Sequence, residues 1–353
     1  MGLVVFLLVL SILVFFHELG HFSVARLLGV KVYVFSIGFG KMLFEKEYKG
    51  TKWRFSLIPL GGYVKMKGQE DLDPSLINKD PDSYQSKTPF ERILILLAGP
   101  FANFILAFVL YIAIGILGVN ALSPTIGKIL PNSPAAISKL KKGDLVIKID
   151  NHNIKTWNDL SGIIKMSKQT LTFYVKRDNL IYPIKITPNL TKTKNIFGED
   201  IKKKMVGISP APKIITIKYS FFESIEYAYN KTYESSKMIF QGMGKLIQGV
   251  IPANQLGGVI SIGTVISNAS ETGIVALLLT MALISVNLGV LNLLPIPALD
   301  GGHIMFNFYE MISKKAPNKQ VLITLTVAGW IILFSLMLFG VYNDINRILL
   351  PSH

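Results

Sequence analysis

The sequence predicts a polytopic α-helical membrane protein with four transmembrane helices. A membrane-associated β-hairpin or sheet on the cytoplasmic side and an inserted α+β domain complete the expectation. Three observations carry it. Half of the 353 residues are apolar and mean hydropathy is positive, outside the usual range of a soluble chain. The apolar residues gather into four runs long enough to cross a bilayer, which takes about 20 residues. Between the second and third runs lies a long basic stretch with the short alternating segments of an α+β module.

The first run covers residues 3–28 and contains Phe16-His17-Glu18-Leu19-Gly20-His21. Positions i and i+4 share a helix face, so His17 and His21 can hold one metal ion between them. Glu18 then stands beside the metal, able to take a proton from water. Ionisable groups inside an apolar helix are costly and mark function. The run lacks a basic start and a small-residue cleavage site, so it reads as a retained helix. Next, about residues 31–68, comes a β-region. Trp53, Phe55 and Leu57 alternate with Lys52, Arg54 and Ser56 after a Lys49-Gly50 turn, and residues 63–66 read as a further short strand. This region is either a small sheet that only packs on the membrane or one whose open edge accepts an extended peptide. Residues 69–87 read as an acidic loop. The second run, residues 93–119, opens with Leu97-Ala98-Gly99-Pro100-Phe101-Ala102-Asn103. Small residues there permit close helix approach, and Asn103 is a polar group that either packs or lines the site.

The inserted module covers residues 120–190. Residues 125–129 read as a strand, Ser133-Pro134-Ala135-Ala136 as the start of a short helix, and Lys142-Gly143-Asp144 as a turn before a strand. A helix follows from Trp157 to Met166. Two strands flanking Asp178-Asn179 close the module as a hairpin. Residues 191–204 read as a solvated lysine-rich linker. Residues 221–250 show helical spacing at Ile225, Tyr229, Tyr233, Ser236, Ile239, Met243, Leu246 and Val250, suited to an amphipathic helix at the membrane surface or against the spans. Residues 256–263 are apolar and glycine-rich, compatible with a re-entrant turn. The third run, residues 274–294, breaks at Pro295 and Pro297, and the fourth covers residues 321–342. The expected divisions are thus 1–119, 120–190, 191–272 and 273–353.

The net charge of +15 is spread over loops, with no basic helix or stacking motif, which argues against nucleic acid and for contact with lipid. There are no cysteines, so disulfides and thiol chemistry are excluded. The short loop with Lys314, Lys315 and Lys319 and the basic residues between 31 and 92 place that side in the cytoplasm. The inserted domain is then extracytoplasmic, and the candidate metal site lies near the cytoplasmic side of the membrane.

Catalytic zinc takes three protein ligands and keeps an open position. The third-histidine pattern of soluble zinc proteases fails at Val24, where it needs glycine. Glu45 and Glu47 flank a turn. Asp300 follows the broken third run at a depth matching the pentad, and His303 is a weaker rival. Together the pentad and Asn292-Leu293-Leu294-Pro295-Ile296-Pro297-Ala298-Leu299-Asp300-Gly301 resemble the two motifs of the site-2 protease family of intramembrane zinc metalloproteases, peptidase family M50. The inserted module resembles a bacterial-type PDZ domain through Ser133-Pro134-Ala135-Ala136, Lys142-Gly143-Asp144 and Trp157. That combination looks like the branch containing the regulator of sigma-E protease, with one PDZ domain where some members have two. The β-region is similar too, including Gly38-Phe39-Gly40, although Lys41 stands where relatives often carry proline.

The resemblance implies Zn2+ held by His17, His21 and Asp300, Glu18 as the base, and Asn292 near substrate or oxyanion. Asn103, Pro295 and Pro297 are grouped with Asn292 as candidates. The implied reaction is endoproteolysis of transmembrane segments of membrane-spanning protein substrates, such as anti-sigma factors or signal-peptide remnants. The alternatives are a metal transporter or sensor with the same ligands, and a scaffold with a structural metal.

Overall fold

The computed structural model describes residues 2–69 and 80–350, so residues 70–79 of the expected acidic loop, and His353, lie outside it. Helix α1 (Gly2–Leu27) leads into strands β1 (Val32–Tyr48) and β2 (Thr51–Met66), and α2 (Pro89–Leu117) follows. Strands β3 (Val119–Leu122), β4 (Ile126–Ile129), β5 (Leu145–Ile149) and β6 (His152–Asn153) precede helix α3 (Trp157–Met166). Then come β7 (Leu171–Arg177), β8 (Leu180–Ile186), β9 (Asn189–Lys194), β10 (Asp200–Met205), β11 (Ile208–Pro210) and β12 (Ile214–Ile217). Five helices finish the chain: α4 (Phe221–Ile247), α5 (Val259–Thr272), α6 (Ile274–Asn292), α7 (Asp300–Ser313) and α8 (Lys319–Leu349). Two compact units result, one from residues 1–114 and 221–353, the other from Gly115–Ser220.

In the first unit, α1, α2, α6 and α8 are long and apolar enough to cross a membrane. Phe6, Val9 and Leu13 of α1 bury against Leu106 of α2, Ile266 of α5 and Met281 of α6. The β-region is a folded-back sheet. Residues 32–37 pair with 62–66 on one side and with 52–55 on the other, and residues 42–48 pair with 51–56. Lys49 and Gly50 turn the chain at φ 50° and 76°. The sheet is pinned to α1 by Phe35, which stacks on Trp53 at 4.6 Å and meets Phe15 and Phe22 edge-on. Phe55 and Leu57 line an apolar groove with Leu7, Leu8, Ile12 and Phe15 of α1.

Helices α4 and α5 add detail to this unit. In α4 the face that buries is Ser224, Ala228 and Ser235, while Tyr229 and Tyr233 are exposed. Small residues let two helices approach closely, so packing takes the small stripe and leaves the large apolar one outward. Residues 259–272 form helix α5. Its start is anchored by Asp344 of α8, which accepts from the Gly258 and Ser261 backbone N–H groups and from the Ser261 hydroxyl. Asn343 adds bonds to the carbonyls of Ala253 and Leu256.

The second unit has an antiparallel sheet ordered β6-β5-β7-β8 over a core of Val146, Ile149, Phe173, Val175, Leu160 and Ile164. Helix α3 starts at a capping box between Thr156 and Asp159. Asp178 and Asn179 turn β7 into β8 with positive φ at both, as a tight hairpin needs. Ser133-Pro134-Ala135-Ala136 makes turns instead of the expected short helix. Past residue 190 the lysine-rich stretch stays partly solvent-exposed but is paired into strands. Strands β9 and β10 pair with each other, β11 pairs with β4, and β12 with β3. Thr191, Thr193 and Ile201 supply strand-forming residues that the surrounding lysines mask in a reading by composition.

Candidate metal centre

Helix α1 sets His17 and His21 one turn apart with their Nε2 atoms 3.2 Å from each other. Asp300 Oδ2 lies 3.4 Å from the first and 3.5 Å from the second. Zinc–ligand bonds of about 2.0–2.1 Å at the tetrahedral angle require ligand atoms about 3.3–3.4 Å apart. The three side chains therefore form one face of a zinc tetrahedron, and the fourth position is left for water or substrate. Asp300 Oδ2 is buried and accepts no hydrogen bond, a costly state for a carboxylate unless a cation meets it. Zn2+ is the ion that this donor set fits.

The remaining ring nitrogens orient the ligands. His21 Nδ1 sits 2.8 Å from the Ile95 carbonyl, so it carries the proton and leaves Nε2 free for metal. His17 Nδ1 lies 3.1 Å from the amide of Asn103, a fully buried residue whose Oδ1 has no partner. Turning that amide so that Oδ1 accepts from Nδ1–H satisfies the oxygen and frees His17 Nε2 in the same way. The Asn103 carbonyl is held in turn by the Ser285 hydroxyl of α6 at 2.8 Å.

Close packing brings the elements together. A Cβ at Gly20 would lie 2.2 Å from the Ala98 carbonyl oxygen, so glycine lets α1 meet α2. A Cβ at Gly99 would lie 2.2 Å from His21 Nε2. Asp300 opens α7 after the turn that breaks α6. Gly301 and Gly302 pack on the carbonyls of Leu294 and Ile296, and Gly329 of α8 packs on Ala298 from the other side. Arg92 of α2 ties to Glu310 of α7 at 2.7 Å.

Asn292 joins the cluster, its Nδ2 3.4 Å from His17 Nε2. Glu18 lies beside the sheet, because a Cβ at Gly62 would come within 3.1 Å of its Cγ. Pro295 is exposed and the Pro297 backbone packs on Gly302 and Gly329, so both lie in the connecting turn. His303 packs edge-on to Phe306, and Glu45 pairs with Arg54. The Ile95 carbonyl was invisible in the sequence, since every residue offers one. Gly62 lies within β2, where the absence of a side chain leaves room for Glu18.

The sequence pattern of peptidase family M50 matches residues 5–336. A Campylobacter jejuni protein carrying the name of a zinc metalloprotease is 48% identical over 97% of this chain and 92% of its own length. A Helicobacter pylori protein of like name is 38% identical over 98% and 99%. Metalloprotease MmpA of Caulobacter vibrioides is 33% identical over 98% and 95%. With a zinc-ligand triangle formed between spanning helix α1 and the start of α7, and a match along nearly its whole length, the chain belongs to peptidase family M50, zinc metalloproteases of the site-2 protease superfamily.

Proposed function

We propose a division of labour around the zinc triangle of this intramembrane endopeptidase, with Glu18 as general base. His17, His21 and Asp300 hold the ion. When bound, zinc supplies Lewis acidity toward water and a peptide carbonyl. Glu18, next to His17 on α1, takes the proton from water and returns it to the leaving amine. Asn292 directs an N–H toward the oxygen of the carbonyl under attack, and its 3.4 Å approach to His17 supports that placement. Asn103 fixes the His17 tautomer. Pro295 and Pro297 stiffen the turn that presents Asp300.

The substrate is a transmembrane segment of another membrane protein. A helix hides its carbonyls in its own hydrogen bonds, so the segment has to unwind locally. Residues 62–66 end the sheet beside Glu18 and offer an edge on which an unwound segment pairs as a strand. We assign the chain to the branch of the regulator of sigma-E protease. The assigned topology puts the centre near the cytoplasmic side and Gly115–Ser220 outside the cytoplasm as a single PDZ domain. One capped helix beside a four-stranded antiparallel sheet supports the domain reading.

The triangle of 3.2, 3.4 and 3.5 Å carries the conclusion. Glu18→Gln in proteoliposomes should keep the zinc and lower cleavage of a model transmembrane substrate by about 10²–10⁴-fold. Undiminished cleavage would overturn the role of Glu18.

A further inference from the structure

The β9–β10 hairpin has a pattern that proteolysis does not explain. In residues 115–220 basic residues outnumber acidic ones about threefold, so this unit holds most of the chain's charge of +15. The excess is ordered on the hairpin. Its register sets Lys192 directly opposite Lys202, Lys204 opposite Leu190 and Lys194 opposite Asp200, so one face carries four lysines against one acid. Like charges facing across a strand pair are destabilising in water. Leu190, on that face, is 62% exposed.

The tip is apolar. The chain turns through Asn195, Ile196, Phe197 and Gly198, and Asn195 Oδ1 accepts from the N–H groups of Phe197 and Glu199. That fixed turn presents Ile196, which is 77% exposed. A ribbon with lysines on its flank and an isoleucine and phenylalanine at its end is amphipathic along its length. The charge calls for a polyanionic surface, and the tip calls for an apolar layer just beneath it. An anionic bilayer supplies both at the right order of depth. The unit is also joined to a spanning helix with almost no linker, since α2 ends at Leu117 and β3 begins at Val119. Tethering makes a weak lipid contact effective by raising its local concentration.

We propose that the β9–β10 hairpin docks on the anionic headgroups of the bilayer in which the chain sits, with Ile196 and Phe197 entering the headgroup–acyl boundary. Docking gives this unit a membrane contact separate from its covalent joint to α2.

The chain has no cysteine, so Ile196→Cys gives one labelling site on the full-length protein. An environment-sensitive fluorophore there is read in nanodiscs of phosphatidylcholine alone and of phosphatidylcholine mixed with phosphatidylglycerol. The label should be blue-shifted, and quenched by nitroxide lipids, in the anionic discs. It should remain water-like in the zwitterionic discs and return to water at high salt. Each lysine near an anionic surface favours docking about fivefold, so replacing Lys192, Lys194, Lys202 and Lys204 by glutamine should weaken it several hundredfold. The same four positions as arginine should keep it, which separates charge from misfolding. A water-like label in both discs overturns the proposal and favours an acidic protein as the partner of this face. An equal shift in both discs overturns the role of the lysines. An equal response from a label at Ile137, which is 90% exposed, overturns the assignment to the hairpin.

Discussion

Replacing Gly99 by alanine tests how closely α2 is fitted to the metal centre. The added methyl would sit 2.2 Å from His21 Nε2, 2.5 Å from its Cε1 and 2.8 Å from His17 Cε1. Ordinary contact needs about 3.5 Å, so the His21 ring has to retreat by about 1 Å. It cannot swing freely, because Nδ1 is held at 2.8 Å by the Ile95 carbonyl and Nε2 belongs to the metal face. Moving α2 instead breaks the Asn103 contact to His17 and the Gly20–Ala98 packing. A displacement of about 1 Å at a reacting centre costs roughly a hundredfold in rate. Gly99→Ala should therefore retain helix content and lose about a hundredfold in kcat/KM, with a matching fall in zinc retained against a competing chelator. Wild-type zinc affinity and wild-type cleavage in this variant would refute the fitted-cradle argument.

Asn103→Ala should lower zinc affinity by about 10–100-fold, the usual cost of losing a residue that orients a ligand. Asn103→Asp keeps an acceptor for His17 Nδ1–H and should restore much of it; equal loss in both variants would contradict the acceptor role. Gly329→Val places side-chain carbons where Ala298 N is already 2.8 Å from a Cβ, so it should push the turn before Asp300 and reduce bound zinc, measured by elemental analysis. Phe173→Ala, at a fully buried core position of the second unit, should cost that unit about 3–5 kcal/mol, read as faster proteolysis within residues 115–220 of the intact protein.

The four spanning helices were legible because long apolar runs have few other uses, and the metal pair because two histidines four apart on a helix have one shared face. Asp300 was legible through the two prolines that break α6 ahead of it. What escaped notice obeyed rules that composition hides. The buried face of α4 is Ser224, Ala228 and Ser235, since backbone proximity outweighs side-chain apolarity where helices touch. Strands β9 to β12 escaped because short lysine-rich strands gain their stability from partners distant in sequence, such as β4 for β11. The Ser133 segment kept the composition of a helix start but closes in turns, with Ser133 Oγ bonded to the Leu130 carbonyl at 2.6 Å. The Ile95 carbonyl and the amide orientation of Asn103 are matters of placement that no residue type announces.

The turn from residue 293 to 299, clamped between glycines of α7 and α8, also sets a time. His17 and His21 leave the ribosome with the first helix, but their partner Asp300 comes some 280 residues later, and its clamp includes Gly329. At roughly 5–20 residues per second that interval is some tens of seconds. Throughout it the nascent chain offers a two-ligand site that lacks its carboxylate. Until Asp300 and its clamp have emerged, the ligand set that the spacing of His17 and His21 awaits is incomplete.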